Sequence, residues 1–194
     1  AMLLMQPEIA GRDLIAELTA ANPALAGGRP GQVRCKGLPS LRRVFSSGID
    51  EDRGAIEPLA RLTELADGEA GTDQALLAGL VAELHPVDDA MIIYTSGTTG
   101  VPKGALLTHH NLASNIVSLL HCWGWTERDR FVLALPLFHA HGLCNGFHGA
   151  MASGCTTFLF ERFRFGPVLE ALSAEKCTLF FGVPTMYEDR KSGV

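Results

Sequence analysis

Apolar residues recur at two different periods along the chain, and each period predicts one kind of element. Short continuous apolar runs indicate strands at 41–46, 90–94, 104–107, 131–135, 155–160 and 179–183. Longer stretches indicate helices at 12–21, 56–65, 74–84, 142–151 and 166–176, with further helices beginning near 111 and 184. The run at 90–94 is typical of a buried parallel strand that feeds a loop. This alternation predicts an α/β fold with a mostly parallel sheet and helices on both faces.

The segment after residue 108 carries the sharpest helical pattern. Its apolar side chains fall on one helical face, at Leu112, Ile116, Leu119, Leu120 and Trp123. Thr108 precedes them and has the hydroxyl that an N-cap residue needs, so we expect the helix to begin after it.

Composition narrows the class of protein. The chain has 194 residues, of which 47% are apolar and 19% charged, as is ordinary for a globular protein. Its net charge of −5 argues against general binding to nucleic acids, which requires Lys and Arg to neutralise phosphates. No apolar run approaches the roughly 18 residues that span a bilayer, so we expect no membrane span. The five scattered cysteines form no C-x-x-C pair, which predicts reduced thiols in the cytoplasm.

Charge divides the chain into two unlike parts. Residues 1–90 hold 8 basic and 14 acidic side chains, whereas residues 91–194 hold 8 and 7. Long apolar segments separated by Gly and Thr clusters also distinguish the second part. We therefore predict an N-terminal α/β portion at 1–87 and a second α/β portion at 88–194 that carries the chemistry.

One loop has the composition of a phosphate-binding segment. It reads Tyr94-Thr-Ser-Gly-Thr-Thr-Gly-Val-Pro-Lys-Gly104. Its glycines allow backbone N–H groups to approach an anion closely, its hydroxyls are donors, and Lys103 supplies a mobile positive charge. It is not a Walker A loop, because Pro102 and Gly104 stand where that pattern needs Gly and then Ser or Thr. The composition therefore predicts a polyphosphate ligand held by a loop of another kind.

This loop resembles the phosphate-binding signature of the adenylate-forming superfamily, which includes acyl-CoA synthetases and peptide-synthetase adenylation domains. Two later segments agree in order and spacing: Leu135-Pro-Leu-Phe-His-Ala-His-Gly-Leu143 and Phe181-Gly-Val-Pro-Thr-Met-Tyr187. The first resembles the family's entry into the acyl pocket, and is most similar to malonyl-CoA synthetase-like enzymes. Upstream, the segment 38–44 resembles the strand entry before the loop more weakly.

The resemblance implies part of the large N-terminal domain of an AMP-forming acid–CoA ligase. Such enzymes join a carboxylic acid to ATP, release pyrophosphate from the acyl-adenylate and pass the acyl group to coenzyme A, with Mg²⁺ bridging phosphate oxygens. The residues it assigns to the phosphates are Thr95, Ser96, Gly97, Thr98, Thr99, Gly100 and Lys103. It places His139 at the acyl and adenylate end as a catalytic residue, and His141 and Gly142 along the acid site. Arg162 would contact the phosphates of coenzyme A.

Other interpretations of these residues stay open. His139 and His141 could be two metal ligands, although no third ligand stands at a recognisable spacing. Both could also be packing histidines, and Arg162 a solvated side chain. A carrier-protein-loading adenylation domain, or a nucleotide-binding module without catalysis, would carry the same loop.

Members of the superfamily have further motifs downstream and a small C-terminal domain, which cannot be placed in this chain. We therefore expect a fragment with little or no complete ligase activity. Uncovered sheet edges would favour a homo-oligomer or contact with missing segments.

Overall fold

The computed structural model of the chain describes residues 1–9, 11–67, 73–95 and 100–188. Contacts divide the chain into two units, Ala1–Ala82 and a second that begins at Glu83. In chain order the first unit contains β1 (Met2–Met5), β2 (Glu8–Ile9), β3 (Arg12–Asp13), α1 (Leu14–Ala21), α2 (Pro23–Ala26), β4 (Arg43–Ser46), β5 (Ile56–Pro58), α3 (Arg61–Asp67) and α4 (Gln74–Ala82).

A three-stranded parallel sheet forms the centre of the first unit, in the order β1-β4-β5. Its core gathers Leu25, Val44 and Ile56, all without solvent exposure. Asp13 begins α1 by accepting a hydrogen bond at Oδ1 from the Ala16 amide, 2.8 Å away. This unit therefore has a small parallel sheet with its own apolar core.

The second unit continues with β6 (Asp89–Thr95), β7 (Lys103–Thr108), α5 (His109–Trp123), β8 (Arg130–Leu133), a π-helix (His141–Phe147), α6 (His148–Ser153), β9 (Thr156–Leu159), α7 (Phe165–Ala174), β10 (Leu179–Phe180) and α8 (Pro184–Glu188). Strands β10, β8 and β9 form a parallel sheet with β8 in the middle, and β6 pairs with β7 as an antiparallel hairpin.

Strand β8 lies at the centre of this unit and supplies both of its cores. Phe131 packs on one face with Trp125 and with Ala150 of α6, whereas Val132 packs on the other with Val168 of α7. Successive residues of a strand point to opposite faces, so helices cover this sheet on both sides. The predicted α/β class, with mostly parallel strands and helices on both faces, is confirmed.

Several element predictions were wrong in detail. The run at 90–94 is not a buried parallel strand: it pairs antiparallel with β7, and Tyr94 is 73% exposed. The predicted helix 56–65 divides into β5 and α3, and the predicted helix 142–151 begins as the π-helix before α6. Strand β1 was not predicted at all. The N-cap at Thr108 is confirmed, because its Oγ1 accepts a hydrogen bond from the Asn111 amide.

Within the described ranges, no helix is both long and apolar enough to cross a membrane.

Candidate functional site

The predicted phosphate loop joins the two strands of the β6–β7 hairpin. Thr95, the last residue of β6, lies opposite Lys103, the first of β7, and its Oγ1 donates to the Lys103 carbonyl oxygen at 3.4 Å. Both residues are exposed, so the Lys103 ammonium is accessible to an anion from solvent. Ser96, Gly97, Thr98 and Thr99, which were predicted to complete the site, lie outside the described residues.

Gly100 lies three residues before β7 and has a left-handed backbone conformation. Its φ is +79°, a conformation that costs glycine little and other residues considerably more. Among the described residues, an added Cβ would meet nothing within 4 Å, so the reason for glycine that the structure shows here is conformational.

The predicted acid-site residues surround a pocket beyond the end of β8. The pocket has a volume of about 540 Å³ and is lined by Leu135, Pro136, His139, Ala140, His141, Gly142, Val183 and Met186. His139, His141 and Gly142 thus line one pocket, and their role in binding an acid stays a prediction. The structure adds Val183 and Met186 from the start of α8 and the loop before it.

The two histidines differ in their surroundings. His139 is exposed and lies beside Phe138, with ring centroids 4.6 Å apart. His141 is half-buried, and its ring stacks on Phe181 at 6.0 Å with an angle of 24° between the planes. Phe181 is itself buried against Trp125 and Phe131. His141 therefore has a fixed neighbour for its ring, whereas His139 lies at the open side of the pocket.

Gly142 lets the π-helix approach the end of β8. A Cβ at this position would lie only 2.2 Å from the Pro136 carbonyl oxygen and 3.1 Å from that of Leu135. Both obstacles are backbone atoms, which cannot rotate away as a side chain can. Gly142 therefore allows the backbone of the π-helix to pack closely against the backbone that follows β8.

Helix α5 contacts both the hairpin and the pocket region. It begins directly after β7 and packs against the π-helix and α6. A capping box fixes its first turn: the Asn111 side chain accepts from the Thr108 amide at 3.0 Å, while Thr108 Oγ1 accepts from the Asn111 amide at 3.2 Å. The two predicted parts of the site thus contact the same helix.

The buried thiol of Cys144 and the candidate residue Arg162 do not line the pocket. Cys144 is buried in the π-helix, and burial raises the pKa of its thiol, which favours the unreactive protonated form. Arg162 is exposed in the turn after β9 and does not line the pocket. In the part of the chain that the structure describes, no three His, Cys, Asp or Glu side chains gather into a metal site.

Sequence reasoning missed residues that line the pocket or support it. Phe181, Val183 and Met186 lie in the segment 181–187, which the resemblance identified without assigning a role to any residue. A hydrogen bond between Asn115 and Asn145 was also missed, because nothing in the sequence pairs two polar residues that far apart.

Comparisons with known proteins show what this chain is similar to. The mitochondrial malonate–CoA ligase ACSF3 of Mus musculus is 46% identical over 101 residues, which are 50% of this chain and 17% of that protein. The feruloyl-CoA synthase of an Amycolatopsis species is 45% identical over 101 residues, 52% of this chain and 21% of that protein. The crystal structure of ATP-bound MatB from Rhodopseudomonas palustris is 28% identical, with a TM-score of 0.60 over 96% of this chain and 30% of that one.

This chain thus spans less than a third of the length of each of these relatives. The family described as AMP-binding enzyme matches residues 35–190, which include the hairpin, α5 and the whole pocket. The chain therefore belongs to the AMP-binding enzyme family, the adenylate-forming superfamily that its loop resembles.

Proposed function

We propose that this chain carries the phosphate-binding and acid-binding parts of an AMP-forming acid–CoA ligase. The observation that carries the proposal is that α5 follows directly on the strand that begins with Lys103 and packs against the π-helix that begins with His141. A cationic hydroxyl-bearing loop and a small pocket thus belong to one structural unit. The two curated relatives described above are both named as enzymes that form CoA thioesters.

The chemistry requires that one anion attack another. A carboxylate oxygen attacks the α-phosphorus of ATP, the bond to the bridging oxygen breaks and pyrophosphate leaves. Positive charge and oriented donors must offset the repulsion and hold the two groups in line. We assign this task to Lys103 and Thr95, together with Ser96, Gly97, Thr98, Thr99 and Gly100, around the β- and γ-phosphates.

We expect Mg²⁺ to bind this chain together with the triphosphate of ATP. Mg²⁺ commonly binds substrate phosphate oxygens and water with few protein ligands, which suits a loop rich in hydroxyl groups. When bound it would neutralise phosphate charge, while Lys103 and the hydroxyls orient the chain of phosphates.

The pocket is proposed to hold the carboxylic acid. His139, at its open side, would face the reacting carboxylate, and His141 would donate a hydrogen bond to a polar group deeper in the pocket. The half-buried His141 ring in the pocket wall favours an acid with a second polar group, such as a malonate-like dicarboxylate. In the second half-reaction the thiol of coenzyme A would attack the acyl carbon and release AMP, with Arg162 near the phosphates of the coenzyme.

The cellular location of the enzyme is also a proposal. All five cysteines are unpaired in the structure, which suits a reducing compartment such as the cytoplasm.

We also propose that the chain contacts further segments of the protein or a second copy of itself.

Calorimetric titration of Mg²⁺–ATP into the chain tests the phosphate site. Replacement of Lys103 by Ala should weaken ATP binding about 10-fold or more, because a hydrogen bond to a charged group contributes roughly 1.5 to 3 kcal/mol. Lys36→Ala is the matched control, since it removes the same charge from an exposed position in the first unit. Equal affinity in the two variants, or no ATP binding by the unchanged chain, would refute the proposed phosphate site.

A further inference from the structure

Two asparagines join α5 to the π-helix. Asn115 Nδ2 donates a hydrogen bond to Asn145 Oδ1 at 2.9 Å, across a separation of thirty residues in the sequence. Asn115 is exposed on α5, whereas Asn145 is half-buried in the middle of the π-helix. Neither side chain lines the pocket. Their contact is therefore available for support of the pocket rather than for contact with its ligand.

The element that this hydrogen bond attaches to α5 is a π-helix. A π-helix closes its hydrogen bonds over five residues where an α-helix uses four, is rare, and occurs often at functional sites. Two glycines allow this π-helix to lie close to the end of β8. A Cβ on Gly146 would lie 2.7 Å from Leu133 Cδ1, and one on Gly142 would meet the Pro136 carbonyl. The strand thus limits how near the π-helix can come, while Asn145 ties it to α5.

His141 is the first residue of this π-helix and lines the acid pocket. Its ring position depends on the register of the helix below it and on the stack with Phe181. A slip or unwinding of the π-helix would rotate His141 away from the pocket. The hydrogen bond at Asn145, about one turn further along, opposes that rotation.

We propose that Asn115 and Asn145 are positioning residues for acid recognition: their hydrogen bond holds the π-helix in the register that presents His141 to a small carboxylate. The identity of the ligand rests on the proposed function. The positioning itself rests on the contacts above. A lost neutral hydrogen bond of about 1 kcal/mol corresponds to roughly fivefold weaker binding.

Aspartate substitutions test this hydrogen bond with almost no change of shape. Asn115→Asp retains an acceptor for the Asn145 amide, and Asn145→Asp retains an acceptor for the Asn115 amide, so each single variant can keep the bond. The double variant carries two carboxylates and no donor, so it loses the bond. Asn145→Asp combined with Ser118→Asp adds the same charge but keeps the Asn115 donor, and serves as the matched control.

Malonate is titrated into each variant of the chain with Mg²⁺ and α,β-methylene-ATP, which cannot react at the α-phosphate. The double variant should bind malonate about fivefold more weakly than the charge-matched control. The imidazole NMR signals of His141 should shift in the double variant alone, while those of His85 stay in place. Tryptophan fluorescence, which reports on Trp123 and Trp125, confirms that each variant is folded.

Each result bears on the proposal. Equal malonate affinities in the double variant and the control, with an unmoved His141 signal, would overturn it. A chain that binds ATP but no malonate or other short acid contradicts the acid-binding assignment. The His141 signal still decides whether the asparagines position the ring. If the chain binds no acid but the His141 signal still shifts in the double variant, the positioning role is supported and only the proposed function is contradicted.

Discussion

Gly142 shows how a single residue controls the wall of the pocket. Replacement by Ala places a methyl group 2.2 Å from the Pro136 carbonyl oxygen, so the π-helix must move away from the end of β8. Overpacking of this kind costs about 1 to 3 kcal/mol. We expect Gly142→Ala to lower the free energy of unfolding by about that amount in a urea titration, and to weaken binding of the proposed acid as well.

Gly166 provides the matched control for that substitution. It lies near the start of α7 in the same unit, and an added Cβ there meets nothing within 4 Å. Gly166→Ala should be neutral or stabilise the chain by up to about 1 kcal/mol, because alanine loses less backbone entropy in a helix. Equal destabilisation by both substitutions would show that close approach to Pro136 is not the cause.

The candidate site residues could be predicted from one motif, but the contacts that support them could not. His139, His141 and Gly142 lie within four consecutive positions, so one motif indicated all three. Phe181 reaches His141 across forty residues, and Asn115 reaches Asn145 across thirty. Such contacts depend on how β8, α5 and β10 pack, which no local pattern encodes.

At the scale of elements, α5 depends on its first turn. Thr108→Val keeps the shape of the side chain but removes the oxygen that caps the Asn111 amide. We expect a loss of about 1 kcal/mol in the free energy of unfolding, and faster hydrogen exchange in the first turn of α5. Thr108→Ser keeps the hydroxyl and should behave like the unchanged chain. Equal losses in both variants would point to the methyl group instead of the cap.

The element predictions failed where packing decides between two structures of similar composition. The run at 90–94 has the apolar content of a buried strand, yet Ile92 is 57% exposed in an antiparallel hairpin. Continuous apolar residues indicate a strand but not its partner. Ile56 similarly fits either a helix or a strand, and pairing with Val44 in the parallel sheet makes it a strand. Thr108 was predictable because a cap acts over three residues.

At the scale of the whole molecule, the distribution of charge matters more than its total. The acidic excess lies in the first ninety residues, whereas the part that carries Lys103 is close to neutral. The net charge of −5 therefore gives little information about the field that an approaching ATP would meet. Within the first unit, two arginine–glutamate ion pairs have similar geometry but very different solvent exposure.

These two pairs allow burial alone to be tested. Arg43 and Glu57 form a two-pronged pair with distances of 3.0 and 2.5 Å, and the Glu57 side chain is only 1% exposed. Arg12 and Glu17 form a pair of the same shape at 2.9 and 2.5 Å, but their side chains are 68% and 47% exposed. Removal of one partner from a buried pair leaves the other charge poorly compensated, whereas exposed pairs contribute little.

We therefore expect Glu57→Gln to lower the stability of the first unit by about 2 to 4 kcal/mol, and Glu17→Gln to cause no measurable change. Hydrogen exchange at the amides of Val44 and Ile56 measures this loss where it occurs, in β4 and β5. Both tryptophans lie in the second unit, so their fluorescence reports on that unit in the same sample. If Glu57→Gln left exchange at Val44 unchanged, the amide would be an adequate partner for Arg43 and burial of the charge would not stabilise this fold.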